Sequence, residues 1–333
     1  MALKIAINGF GRIGRCVARI AAQRDDIEVV AINDTSALEM TKYLLENDSV
    51  HGTFEKTVTI VDDNHIKIGD DTIRMFSDRD PKKLDFAAEG ASMVLECTGA
   101  ILTQEKAQAH IDNGIPKVLF SAPAKDDTPT FVMGVNESDY AGQAIVSNAS
   151  CTTNCLGPVT KILDDVFGIE KGLMTTIHSY TNDQNILDVK HQKDKRRARA
   201  GAINMIPTTT GAAKAIGLVM PHLKGKLNGQ SVRVPTPNVS MVDLNVIVKK
   251  ETTKEEVNAA FTASEQGSHK GYIFMDSDMR VSQDFMGSSY SSIIAEDLTQ
   301  VVGGNMVKIM AWYDNEWGYS CRLVDMALHI SKK

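Results

Sequence analysis

Apolar positions recur along this chain with two periods, and the change from one to the other marks its elements. LKIAIN (3–8) is a short apolar run that predicts a buried strand. Ile13, Cys16, Val17, Ile20 and Ala21 follow at helical spacing, and IEVVAIND (27–34) predicts a second strand ending in an acid. ASMVLECTGA (91–100) and KVLFSAP (117–123) are apolar runs that close on small polar residues, Thr98-Gly99 in one and Ser121 and Pro123 in the other. That pattern suits parallel strands whose C-terminal ends form a ligand crevice. Residues 54–76 predict an edge hairpin, TVTIV and IKI around the polar turn DDNH.

AIVSNAS (144–150) predicts a strand, and CTTNCLGPVTKILDDVFG (151–168) predicts a helix with Cys155, Val159, Ile162 and Val166 on one stripe. Pro158 inside it either kinks the helix or frees the Asn154 carbonyl. Later the period becomes two. SVRV (231–234) alternates so that Arg233 points into a site while Val232 and Val234 face the core, and VDLNVIV (242–248) repeats the alternation. MVKIMAWYDNEWGYS (306–320) predicts a strand, a turn and a helix. The fold class expected is α/β: a Rossmann-type dinucleotide-binding domain over 1–150, then an α+β catalytic domain over 151–316 with a mostly antiparallel sheet. A chain of 333 residues is long enough for two such domains.

Composition acts mainly by exclusion. The charged fraction is 23% and the net charge −6, so no basic field invites nucleic acid. The run KDKRRAR (193–199) is not interleaved with aromatic residues, and no dedicated nucleic-acid site is expected there. No apolar run reaches membrane-spanning length, and MALKIAINGFGRIG lacks the apolar core of a signal peptide. Five cysteines form an odd, sparse set, which points to a reduced, cytoplasmic chain.

The glycines carry the first chemistry. Gly9, Gly11 and Gly14 form G-x-G-x-x-G between the first strand and the first helix. Glycine there permits a tight turn and a close approach of backbone to a pyrophosphate, which the helix N-terminus near Arg12 and Ile13 receives. Asp34, about 20 residues further on, is placed to accept bonds from ribose hydroxyls. The alternative, a tight turn with a surface acid, leaves the strand–helix–strand–acid order unexplained.

Cys151 and Cys155 in SNASCTTNC (147–155) have three readings. No second Cys or His pair follows at zinc spacing, so no metal site is expected. A disulfide across one helical turn restrains little. The third reading puts Cys151 in the first turn of a helix capped by Ser150, where the N-terminal partial charge lowers a thiol pKa. Hydroxyls and N–H groups around it suit a nucleophile and an anion, while Cys155 faces the core.

Over essentially its whole length the sequence resembles phosphorylating glyceraldehyde-3-phosphate dehydrogenases. The stretches that carry the resemblance are INGFGRIGR (7–15), ASCTTNC (149–155), IHSYTNDQ (177–184), RRARAGAINMIPTTTGAAKA (196–215), RVPTPNVS (233–240) and WYDNEWGYS (312–320). The resemblance implies oxidation of glyceraldehyde 3-phosphate with NAD and inorganic phosphate through a thioester on Cys151, with His178 as its partner base. It implies that Thr181 and Arg233 hold the substrate phosphate, that Ser150, Thr152, Thr210 and Gly211 hold inorganic phosphate, and that Arg197 lies near both. On the cofactor side it implies Gly9, Gly11, Arg12, Ile13, Gly14, Asp34, Thr35, Arg79, Thr98 and Ser121, with Asn315 on the nicotinamide carboxamide and Tyr319 beside the ring. It further implies a homotetramer, a long S-loop over about 180–205 that lines a neighbour's cofactor groove, and a C-terminal helix (317–333) that packs back on the first domain.

Two positions depart from the NAD-restricted pattern. Thr35 and Ser36 follow Asp34 where an apolar residue is usual, and Lys190 stands in ILDVKH in place of a proline. Small polar residues there resemble NADP-using photosynthetic relatives, so the expectation is NAD with NADP as a second cofactor. Two rivals stay open: erythrose-4-phosphate dehydrogenase, and a non-catalytic protein that reuses the fold.

Overall fold

The computed structural model describes residues 2–192 and 194–333, so Lys193 of the basic run 193–199 lies outside the described residues. The chain divides into two compact units. The first comprises Met1–Phe131, Glu137–Ser150 and Ser320–Lys333, and the second Val132–Asn136 and Cys151–Tyr319.

In the first unit the early apolar runs become β1 (Leu3–Asn8), α1 (Arg12–Ala21) and β2 (Ile27–Asn33). Next come α2 (Leu38–Glu46), the two-residue strands β3 (Asn47–Asp48) and β4 (Gly52–Thr53), and β5 (Val58–Asp62), β6 (His65–Ile68) and β7 (Asp71–Phe76). β8 (Met93–Glu96), α3 (Gln104–Asp112), β9 (Lys117–Phe120) and β10 (Ile145–Ser147) complete the sheet, whose order is β10-β9-β8-β1-β2-β7-β6-β5. From β10 to β7 every pair is parallel; β5 and β6 add an antiparallel hairpin at one edge. The strand order reverses between β1 and β8, which places a crevice beyond their C-terminal ends.

Three strands are shorter than the apolar runs predict, because the residues beyond them leave the ladder. β8 stops at Glu96 rather than continuing to Ala100, and β9 stops at Phe120. β10 stops at Ser147; two residues later Ala149 has φ 56°, a left-handed conformation that no strand accommodates.

The second unit opens with α4 (Cys151–Phe167), followed by β11 (Ile169–Ser179), β12 (Ile206–Thr209), α5 (Ala212–Val219), β13 (Leu227–Val234) and β14 (Ser240–Val248). α6 (Lys254–Gln266), β15 (Ile273–Asp276), β16 (Ser292–Ala295), β17 (Gln300–Val302) and β18 (Met306–Tyr313) follow, and α7 (Trp317–Ser331) begins here and ends in the first unit. The sheet runs β12-β13-β11-β14-β18-β16-β15 with β17 on β18, and only β11–β13 and β15–β16 pair in parallel. Residues 180–205 contain no helix or strand among the described residues.

α4 lays Cys155, Leu156, Val159, Ile162, Leu163 and Phe167 on Val242, Leu244, Val246, Ile309 and Ala311 of β14 and β18. Val166 does not continue the predicted stripe: it is 44% exposed, because Leu163 and Phe167 fill the inner face of the last turn. The helix runs through Pro158 without interruption. Val232 and Val234 are also misassigned by the alternation. His178 pairs in register with Arg233, and Met174, on the same face of β11 as His178, lies in the core. Arg233 therefore shares the core face, and the two valines lie half-buried on the other side. No helix among the described residues is long and apolar enough to cross a membrane.

Gly14 fixes how closely α1 approaches the turn after β1, since a Cβ there would stand 2.3 Å from the Gly9 carbonyl oxygen. Gly14→Ala is expected to destabilise the first unit by about 1–3 kcal/mol, as overpacking does. Calorimetric unfolding of the variant beside the parent checks this.

Candidate active site

The crevice of the first unit is built from backbone. Gly9 has φ 95°, and a Cβ there would stand 2.7 Å from the Thr98 amide nitrogen, so only glycine lets these two loops meet. In front of Gly11 a Cβ would meet nothing within 4 Å, which leaves open space at the start of α1. Gly11 is the N-cap residue and donates no side-chain cap; the first intrahelical bond runs from Arg15 N to Gly11 O. The first-turn N–H groups thus precede the helical ladder, as an anion site requires.

Asp34 lies just past β2. Its Oδ2 accepts the Phe10 N–H at 3.1 Å and its Oδ1 accepts the Ser36 N–H at 2.7 Å, so the carboxylate is tied to the glycine turn. Thr35 is exposed directly after Asp34, and Arg79 is exposed just past β7, the strand beside β2. The Arg12 guanidinium forms a bidentate pair with Asp48, 2.5 and 3.0 Å, and holds that carboxyl down at about 2. Arg12 can therefore serve a dinucleotide through its backbone while its charge is engaged by Asp48. Ser121 follows β9, donates its N–H to the Glu96 carbonyl, and its side chain bonds the Cys97 thiol. The glycines that no Cβ could replace, the uncapped helix start and the ribose-side acid all fit a dinucleotide.

In the second unit Cys151 begins α4, directly after Ser150 in the chain, and its Sγ lies 3.5 Å from His178 Nε2 near the end of β11. The expected lowering of the thiol pKa by the helix start is outweighed: burial pushes Cys151 up, against the Arg233 charge and Thr152 hydrogen bonds that favour thiolate. Burial and the Arg233 charge hold His178 down to about 3. Each group alone is thus kept neutral. Moving the proton from Sγ to Nε2 makes opposite charges 3.5 Å apart, whose attraction is about 5 kcal/mol at an effective dielectric of about 20. The charges form together or not at all.

The other ring nitrogen sets the tautomer. His178 Nδ1 lies 2.7 Å from the Ser179 carbonyl and 2.5 Å from Arg233 Nη1, which also donates to that carbonyl. With Arg233 donating to Nδ1, the ring hydrogen sits on Nε2. With Arg233 drawn away, Nδ1–H donates to Ser179 O and the Nε2 lone pair faces Sγ. Arg233 Nε is buried and has no protein partner, a donor available to an anion.

Arg197 donates to Thr208 Oγ1 at 2.7 Å and to the Thr209 carbonyl, beside Thr210 and Gly211, and pairs with Asp183 and Asp194. Thr181 bonds Gln184 and receives the Asp183 N–H. Gly211 is the N-cap of α5 and offers no side-chain bond; the Ala212 N–H of that helix start donates instead to the Thr210 hydroxyl at 3.2 Å. Thr152 is buried, with its hydroxyl 2.8 Å from the Tyr313 hydroxyl.

Two contributors are not read from the sequence. The Tyr313 hydroxyl also bonds Thr176 at 2.8 Å, and its ring meets His178 edge-on at 6.0 Å, so it ties the start of α4 to β11. Ser240 accepts the Ser179 N–H and donates to Asn315 Oδ1 at 2.7 Å, which fixes the Asn315 amide orientation. An aromatic with a polar tip and a serine inside period-two strands are the only local signals. Tyr319 is buried in the first turn of α7.

The coupled pair predicts a pH signature. In His178→Asn no imidazolium can form, so the raised thiol pKa stands alone. Below that pKa the sulfur stays protonated and inert. Alkylation of Cys151 near neutral pH is expected to fall at least about tenfold and to recover only above the ordinary cysteine range. Iodoacetamide kinetics against pH measure it.

The comparisons with known proteins agree with these two halves. The family model described as "Glyceraldehyde 3-phosphate dehydrogenase, NAD binding domain" matches residues 3–104, and that described as "Glyceraldehyde 3-phosphate dehydrogenase, C-terminal domain" matches 150–315. Glyceraldehyde-3-phosphate dehydrogenase 1 of Bacillus subtilis (strain 168) is 52% identical over 335 residues, 100% of this chain and 99% of that one. The enzyme of Geobacillus stearothermophilus gives the same identity and coverage. Chloroplastic glyceraldehyde-3-phosphate dehydrogenase A of Chlamydomonas reinhardtii is 52% identical over 99% of this chain and 89% of its own length. With a thiol–imidazole pair in one unit and a glycine-turn crevice in the other, this chain belongs to the glyceraldehyde-3-phosphate dehydrogenase family.

Proposed function

We propose that this chain oxidises D-glyceraldehyde 3-phosphate, with NAD and inorganic phosphate, to 1,3-bisphosphoglycerate through a thioester on Cys151. The observation that carries the chemistry is the buried Cys151–His178 pair beside Arg233. NAD bound at the glycine turn supplies the hydride acceptor. An aldehyde carbon gives up hydride readily only as a tetrahedral adduct bearing an oxyanion. Cys151 sulfur adds to that carbon, and its proton passes to the new oxygen by way of His178. Nε2 then takes the hydroxyl proton back as hydride departs, leaving the acyl group on sulfur. A phosphate oxygen attacks the thioester carbonyl, the C–S bond breaks, and the thiolate returns with the acyl phosphate as product.

Arg233 and Thr181 would hold the substrate phosphate, and drawing Arg233 toward it would release His178 Nδ1 to Ser179 and turn the Nε2 lone pair on the thiol. Ser150, Thr152, Thr210 and Gly211 would hold inorganic phosphate, with Arg197 between the two anions. Asn315, oriented by Ser240, would hold the nicotinamide carboxamide, with Tyr319 beside the ring. The reading extends to a cytoplasmic homotetramer. It is supported by Ile186, Leu187, Ile203 and Met205, apolar side chains at least three-quarters exposed on the 180–205 segment.

NADP use is part of the same proposal. Both Asp34 oxygens are engaged by backbone N–H groups, which partly offsets the charge a 2′-phosphate would meet, and Thr35 and Ser36 are exposed beside it. One surface charge pair is worth about 1 kcal/mol or less, so Asp34 alone does not exclude NADP.

NADH absorbance tests the reaction. With aldehyde, NAD and phosphate, turnover is expected to continue; without phosphate it is expected to stop after one equivalent per site. Sustained turnover without phosphate would transfer the assignment to a hydrolytic dehydrogenase of the erythrose-4-phosphate type. Cys151→Ser is expected to lower kcat by about a thousandfold or more. For the second cofactor, kcat/KM values for NAD and NADP of the same order support dual use, and an NAD preference of about a thousandfold defeats it.

A further inference from the structure

The loops of the first unit's crevice each begin just past a polar residue that the chemistry above does not use, three of them buried and Asp78 partly exposed. Gly9 follows Asn8, Asp34 follows Asn33, Arg79 follows Asp78, and Thr98 lies two residues past Glu96. Asn8, Asn33 and Glu96 are almost fully buried, and Glu96 has no exposed surface at all.

These residues form one chain of hydrogen bonds. Glu96 Oε1 accepts the Thr98 N–H at 3.0 Å and the Thr98 hydroxyl. Glu96 Oε2 accepts Asn8 Nδ2 at 2.6 Å. Asn8 Oδ1 accepts Asn33 Nδ2 at 2.8 Å. Asn33 closes a ring with the Asp78 backbone, donating to its carbonyl at 2.8 Å and accepting its N–H at 3.0 Å. His110, also fully buried and stacked on Phe86, places Nε2 3.4 Å from Glu96 Oε2.

We propose that Glu96 is a positioning residue for the dinucleotide, setting the geometry of the four crevice loops through Asn8 and Asn33. The inference rests on the reading of Asp34, Arg79 and Thr98 as cofactor-binding residues. A buried carboxylate costs stability, and an apolar side chain of similar size would fill the place at less cost. What the carboxylate adds is polarity. An ionised carboxylate only accepts, so Asn8 must turn its NH₂ toward it and its oxygen toward Asn33. Asn33 must then present its NH₂ to Asn8 and to the Asp78 carbonyl. Glu96 at one end and the Asp78 backbone at the other thereby hold both amides in one orientation, adding side-chain ties to loops whose backbone bonds to the strands are single ones such as Gly9 N–H to Asn33 O and Cys97 N–H to Asn8 O. Crevice loops held in place before binding need less ordering when the dinucleotide arrives.

The test measures NAD dissociation constants by calorimetry on the full chain. In Glu96→Gln one amide edge becomes a donor, so a bond to Thr98 or to Asn8 is lost. The constant is expected to rise about tenfold or more, the loss of one charged hydrogen bond. kcat at saturating NAD, KM for the aldehyde and the Cys151 alkylation rate are expected to stay within about twofold. Asn33→Ala and Arg79→Ala are each expected to weaken NAD, and the double variant to be no weaker than the poorer single one, because Asn33 acts through the Arg79 loop. An unchanged constant in Glu96→Gln, or multiplicative effects in the Asn33/Arg79 pair, would overturn the proposal. If Glu96→Gln does not fold, the Asn33/Arg79 pair decides alone. Asp34→Ala separates the two levels of failure. If it weakens NAD while Glu96→Gln does not, only the positioning role falls. If it leaves NAD unaffected, the crevice assignment falls and this proposal with it.

Discussion

The chemistry proposed for this protein depends on two neighbouring groups, each of which burial holds toward its neutral form. Cys151 and His178 stand where burial penalises a lone thiolate and a lone imidazolium alike. Only proton transfer between them, over 3.5 Å, produces both charges at once. The surroundings serve that condition: β11 delivers His178 from a sheet interior, α4 begins at Cys151 itself, and Tyr313 ties the two together through Thr152 and Thr176. Under the proposed function reactivity would be linked to occupancy, since Arg233 is both the donor on Nδ1 and the guanidinium whose Nε has no protein partner.

The dinucleotide crevice solves a different problem with different means. A pyrophosphate needs N–H groups and close backbone approach rather than a nucleophile; at Gly9 and Gly14 a Cβ would collide with neighbouring backbone, and at Gly11 the space is open. Side chains matter one layer down, where Glu96, Asn8 and Asn33 run beneath the loops. One unit thus presents its working groups as side chains from strands and a helix start. The other presents backbone and keeps its polar side chains underneath.

Much of this was legible in the sequence because it is local. A glycine triplet between a strand and a helix, an acid about 20 residues later and a cysteine opening a helix are all readable within short windows. What failed was either the end of an element or a pairing between distant residues. Val166 sat at the expected spacing, but the last turn of α4 buried Leu163 and Phe167 instead. Val232 and Val234 looked like core by residue type; the register of β13 against β11 gave the core face to Arg233. Asn8 and Glu96 are 88 residues apart, and nothing in a periodicity records that they meet. Glu96 did leave a trace, an acid inside an apolar run, whereas Ser240 left almost none.

The division of the chain also bears on how the protein is made. The first unit takes its last stretch, Ser320–Lys333, from the far end of the sequence, after the whole of the second has been written. During synthesis the dinucleotide unit therefore waits, incomplete, while its neighbour emerges and acquires a full complement of chain. A chain cut short in α7 would therefore carry Cys151, His178 and Arg233 in a unit written in full, beside a dinucleotide unit still lacking the segment that completes it.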